Sequence, residues 1–191
     1  MASTHRALGF AVGAAYGQAC GLAWPLVAAA GAVAVVTSAG QLSPDADQYR
    51  WWRRVDQVVP DEVLGRGGPM QHRGLTHWWL FPALLTASWL VQPARGGWLW
   101  LVAGALLAGW WSHLLGDLLF GRADRFSGRG PGIPLMPWWA HLGAGLRCGG
   151  ILEAAAGLVL VPLGAWVVAA SAGVVPGMGV VAAQVAAGWM P

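Results

Sequence analysis

Apolar residues fall into six stretches, at about 7–23, 25–42, 75–92, 97–120, 150–171 and 173–189, separated by polar connections at 43–74 and 121–149. Several approach the ~20 residues that a helix needs to cross a bilayer. The pattern therefore predicts an all-α, polytopic membrane helical bundle of about 5–6 hydrophobic helices, built as a single membrane-embedded domain over residues 1–191. Tight links around Trp24-Pro25, Gln92 to Gly97 and Gly173 to Pro176 join the stretches into helical hairpins.

Composition strengthens this reading. The chain is 57% hydrophobic and 10% charged, and it has 14 tryptophans against 4 phenylalanines, which excludes an ordinary soluble domain. Its net charge of +3 comes from arginine alone, because lysine is absent. These arginines lie between apolar stretches without interleaved stacking aromatics, so no nucleic-acid partner is expected. The expected partners are the lipid bilayer and a small-molecule or lipid substrate.

If all six stretches cross, Arg6, Arg50, Arg53, Arg54, Arg66, Arg73, Arg122, Arg125, Arg129 and Arg147 share one side and only Arg95 lies on the other. The positive-inside rule makes the crowded side cytoplasmic. Paired tryptophans at 51–52, 78–79 and 138–139 suit an aromatic belt at the membrane surface. Residues 1–24 have the outline of a secretory signal, but the next stretch is equally apolar and cleavage would discard His5. Cys20 and Cys148 form no C-x-x-C pair and read as small packing residues.

In so apolar a chain, ionisable residues inside or beside the apolar stretches are expensive and point to function. His113 and Asp117 lie four apart in the fourth stretch, about 40° of helical rotation, so they share one face. They make either a helix-to-helix hydrogen bond or two metal ligands. Asp45-Ala-Asp47 follows the second stretch directly and reads either as loop solvation or as hard oxygen donors. His72 and His77, in His72-Arg-Gly-Leu-Thr-His77, are about 140° apart on a helix. One therefore belongs to the loop and the other to the first turn of the third helix, with Thr76 as its N-cap. His5 opens the first helix. Four helix ends delivering His or Asp to one cytoplasmic-side layer point to a shared metal site.

These residues resemble the YdjM-like family of bacterial membrane-bound proteins described as metal-dependent hydrolases. The family pattern appears as Thr4-His5, Pro44-Asp45-Ala46-Asp47, His72 to His77 and Ser112 to Asp117, in that order. Gly132 to Trp138 is similar to a following Pro-containing aromatic segment, and Arg147 to Glu153 to a late helix start. Gln48 and Trp78 depart from it, standing where members often have a histidine and a small polar residue. The family is similar at a distance to zinc-dependent phospholipase C and P1 nuclease, which implies phosphoester hydrolysis by analogy of site alone.

The expectation is thus an inner-membrane, metal-dependent hydrolase acting on a phosphoester or lipid-like substrate at the cytoplasmic face. Its metal ligands are drawn from His5, Asp45, His72, His77, His113 and Asp117. Nitrogen and carboxylate donors without thiolate suit zinc, and also manganese or iron. Asp47 or Glu153 would orient or deprotonate water, and Arg73 would bind the anionic group. The alternatives are a non-catalytic membrane protein with a structural ion or His/Asp network, and a metal or proton transporter.

Overall fold

The computed structural model describes residues 2–48, 75–93, 95–121, 132–136, 140–146 and 150–175. Over these it is mostly helical: α1 (Ala2–Ala19), α2 (Trp24–Ala39), α3 (Leu80–Leu90), α4 (Trp98–Phe120) and α5 (Ile151–Ser171). Short 3-10 turns cover Pro44–Gln48 and Leu75–His77, and a two-stranded antiparallel ribbon pairs β1 (Ile133–Met136) with β2 (Ala140–Leu142).

Helix α1 sits at the centre, against α2, α4 and α5. Small residues make that possible. Gly9, Gly13 and Gly17 recur every fourth position and so share one face of α1. Opposite them stand Ser38, Ala34 and Ala30 of α2, also four apart. A Cβ on Gly9 would run into the Ser38 side chain, and one on Gly13 into that of Ala34. Close approach of small-residue faces is how helices pack where lipid competes equally well for larger apolar side chains. Gly109 does the same for α4, where a Cβ would strike the backbone of Ala34. The hydroxyl of Thr37 then donates to Leu106 O over 2.6 Å, tying α2 to α4.

Two described helices, α4 and α5, are long and apolar enough to cross a membrane, with mean hydropathies of 1.4 and 2.0. Outward-facing Ile151, Leu158 and Val159 leave much of α5 uncovered by protein. Helix α2, with 16 residues, is apolar but shorter. Helix α1 has 18 residues but includes His5, Arg6 and Gln18, and it is not among the helices apolar enough to span. Of these three His5 is buried, whereas Arg6 is exposed and Gln18 half-buried. Of the sixth stretch, 173–189, only 173–175 lie among the described residues.

The third stretch departs from expectation. Only Leu80–Leu90 is α-helical, 11 residues, or about 17 Å at the helical rise against a ~30 Å hydrocarbon core. Thr76 does not cap it; the N-cap is Trp79, with no side-chain hydrogen bond. Pro82 accounts for the late start. A helix capped by Thr76 would place Pro82 in its interior, where it lacks the required N–H and clashes with the preceding turn. Beginning at Leu80 puts Pro82 in the first turn, where that N–H is not needed.

The ribbon is the one departure from an all-α chain among the described residues. Pro134 disfavours helix there, and Gly132, at φ 79°, takes a left-handed turn where a Cβ would collide with Leu142. The flanks of the ribbon satisfy carbonyls that the end of α4 leaves without helical partners. Gly132 N donates to Gly121 O (2.8 Å), Ala144 N to Leu118 O (2.7 Å) and Leu146 N to Leu119 O (3.2 Å). The Trp78 and Trp79 indoles both donate to Leu135 O, at 2.9 and 3.1 Å. The described part of the second polar connection is thereby fastened to the C-terminal end of α4 and the entrance to α3.

Candidate metal centre

Four pieces of chain bring ionisable side chains to one place. His5 comes from the beginning of α1, Asp45 from the 3-10 turn after α2, His77 from the 3-10 turn before α3, and His113 with Asp117 from the last turns of α4. His5, His77, His113 and Asp117 are buried, at 3%, 0%, 1% and 1% exposure. Asp45 is the open member, its side chain 30% exposed.

The orientation of His113 follows from one contact. Its Nδ1 lies 2.6 Å from Ser38 O. A carbonyl oxygen only accepts, so Nδ1 carries the proton and donates. A neutral His113 ring therefore turns the Nε2 lone pair toward the cluster. Two carboxylate oxygens, Asp45 Oδ1 and Asp117 Oδ2, stand 3.7 Å from that nitrogen. A lone pair facing carboxylates is repulsive unless a cation or proton lies between them. Partner-fixed imidazole tautomers of this kind are the usual support of a metal-binding histidine.

The separations test whether the donors fit an ion. Donor atoms about 2.1 Å from a shared tetrahedral metal lie about 3.4 Å from one another. From His77 Nε2 the distances are 3.1 Å to Asp45 Oδ1, 3.3 Å to His113 Nε2 and 3.4 Å to Asp117 Oδ2. With the two 3.7 Å separations at His113, five of the six edges among Asp45, His77, His113 and Asp117 lie between 3.1 and 3.7 Å. Hydrogen bonds from nitrogen to oxygen run from 2.7 to 3.2 Å, which only the His77–Asp45 contact meets. Two carboxylates and neutral imidazoles suit a divalent cation by charge as well.

His5 adds a further donor. Its Nε2 is 3.4 Å from Asp117 Oδ1, and its ring centroid is 4.5 Å from that of His113. The His5–His113–Asp117 and Asp45–His77–His113 triplets each bring three donor atoms within 4.8 Å of one another. His5 rests on Gly116, where a Cβ would approach Nε2 to 3.0 Å. The chain thus has a buried His/Asp group able to hold a metal ion.

His72 and Arg73 lie outside the described residues, as does the side chain of Asp47. Glu153 is buried in the first turn of α5, the helix that packs on α1. Two supporting residues emerge only in three dimensions. Ser38 supplies the carbonyl that fixes His113, and its hydroxyl donates to His5 O over 2.5 Å. Ser112 Oγ lies 3.0 Å from Ser38 Oγ and 2.7 Å from Gly109 O, with one proton to give. Adjacent Thr37 and Ser38 in an otherwise apolar stretch of α2 were the available signal in sequence.

A family comparison covers the cluster and almost the whole chain: the YdjM inner membrane protein family matches residues 1–190. The chain belongs to that family. Neither the curated proteins nor the solved structures yield a match. Membership in an inner membrane protein family agrees with the two spanning-length helices, α4 and α5. In this family member, the polar layer is built from the ends of α1, α2 and α4 and the entrance to α3.

Proposed function

We propose that this protein is a metal-dependent hydrolase of the inner membrane, acting on a phosphoester or lipid-like substrate at the cytoplasmic face. The observation that carries the reading is the set of Asp45, His77, His113 and Asp117 donors, with five separations of 3.1 to 3.7 Å among them and Asp45 open to solvent. A divalent ion held there, zinc by donor type or else manganese or iron, would activate water and polarise a phosphoryl oxygen.

The protein's own groups would do the rest. Asp47 or Glu153 takes a proton from water, whose oxygen adds to phosphorus. The bond from phosphorus to the leaving alkoxide breaks, and the alkoxide leaves as an alcohol on receiving a proton. Arg73 pairs with the anionic phosphoryl oxygens. The arginine distribution supports a multi-pass chain with this layer on the cytoplasmic side.

Burial favours a second reading, a structural ion without catalysis, because closed sites with four protein donors are the structural kind. The two readings part on one set of samples. Metal content is measured on protein purified in detergent without chelators, beside His113→Ala and Asp45→Ala, with phosphodiesterase and phospholipase assays. Near-stoichiometric metal with hydrolysis, both lost in the variants, supports the hydrolase. Full metal with no hydrolysis of any ester tried supports the structural ion, and no metal in the parent defeats both.

A further inference from the structure

Helix α3 packs on α4 but stands away from α2. Between α2 and α3, over α4, lies a cavity of about 920 Å³, at the upper end of the ~300–1,000 Å³ typical of small-molecule sites. Its walls are largely apolar, with Leu85 and Trp89 from α3 and Leu106 and Trp110 from α4.

The cavity has two distinct ends. At one, Ser43, Ala46 and Thr76 line it, directly beside Asp45 and His77 in sequence. Thr76 Oγ1 is 3.1 Å from His77 Nδ1, and Trp110 donates to Thr76 O over 3.2 Å. The other end reaches Trp98 and Gly97, at the turn between α3 and α4. From Trp98 to Trp110 the wall follows α4 for about 18 Å at the helical rise. One leaflet of a ~30 Å hydrocarbon core is about 15 Å deep.

From this adjacency we infer that the cavity holds an acyl chain of a membrane phospholipid, with the phosphate end at the His/Asp cluster. An apolar slot as deep as one leaflet, opening beside hard cationic-site donors, matches an amphiphile whose polar and apolar ends are joined at that boundary. A free, water-soluble phosphoester would leave the slot without purpose. The inference names the substrate class for the hydrolase proposed above and rests on that reading for the headgroup chemistry alone.

The test is photolabelling of the full chain in nanodiscs of phosphatidylethanolamine and phosphatidylglycerol. A minor fraction of the phosphatidylglycerol carries a diazirine at the end of a palmitoyl chain, and metal content is measured on the same samples. Label on Trp89, Trp98 and Leu99 should exceed that on Leu158 and Val161 of the exposed α5 face on the order of tenfold. Ala103→Trp and Leu85→Trp, which narrow the slot from α4 and from α3, should each lower the cavity label on the order of tenfold with metal content unchanged. Equal labelling of the cavity and the α5 face overturns the inference. So does an unlabelled cavity, as expected were it filled by another segment of this chain or a second copy. So does cavity label that persists in both narrowed variants. Cavity labelling in metal-free parent protein would sink the hydrolase reading and leave the acyl-chain site standing. Metal without cavity labelling would do the reverse.

Discussion

His113 donates from Nδ1 to the carbonyl oxygen of Ser38 across 2.6 Å, joining α4 to the last turn of α2. That bond aims Nε2 at the cluster, so the centre depends on how closely the two helices approach. The approach depends in turn on Gly109, where a Cβ would meet the Ala34 backbone.

Gly109→Val should therefore separate α2 from α4, costing about 1–3 kcal/mol of stability as overpacking does and weakening metal retention with it. Gly157→Ala is the matched control, since nothing lies within 4 Å of a Cβ there. It should be neutral or stabilising by up to about 1 kcal/mol, because alanine is the better helix former. Thermal unfolding in detergent, with metal content on the same samples, checks the pair. Equal stability of the two variants would contradict the packing account.

Gly116→Ala addresses His5 alone. The added methyl would come within 3.0 Å of His5 Nε2 and displace the ring from Asp117. Metal affinity should fall by about 10–100-fold, the loss typical when a supporting contact of a metal site is disturbed. The helical fold should remain intact by circular dichroism. Competition with a chromophoric chelator measures the affinity, and an unchanged value would remove His5 from the site.

Trp78 and Trp79 share one acceptor, Leu135 O. Either Trp78→Phe or Trp79→Phe leaves the other indole in place, so each should have little effect. The double variant should loosen β1 by about 1 kcal/mol, as Leu135 O loses its last indole donor, while the backbone bonds from Gly132, Ala144 and Leu146 to the end of α4 stay in place. Amide hydrogen exchange across Ile133–Met136 reads the outcome. Exchange in the double variant no faster than in the singles would show that the belt tryptophans do not hold the ribbon.

Much of the cluster was legible in the sequence because its logic is local. His113 and Asp117 share a helix face by spacing alone, and the other helix ends stood out because charge is so scarce. Among the described residues the helical stretches were legible for the same reason, apart from the one containing Pro82. The fastening of His113 was not, because its acceptor is a backbone carbonyl and every residue has one. The ribbon was hidden as well. Its anchors are the end carbonyls of α4 and two indoles that an aromatic belt already explained. Thr76 failed as a cap because Pro82, six residues later, sets the start of α3, and the threonine hydroxyl contacts His77 instead.

Asp45, His77, His113 and Asp117 acting as donors to one divalent ion would give that ion a defined coordination shell. X-ray absorption on the zinc-loaded protein tests it most directly. About four nitrogen or oxygen scatterers are expected near 2.0–2.2 Å, with imidazole outer-shell scattering and no sulfur. That scattering should weaken in His77→Ala. A sulfur scatterer near 2.3 Å, or a spectrum that His77→Ala and Asp117→Ala leave unchanged, would contradict it.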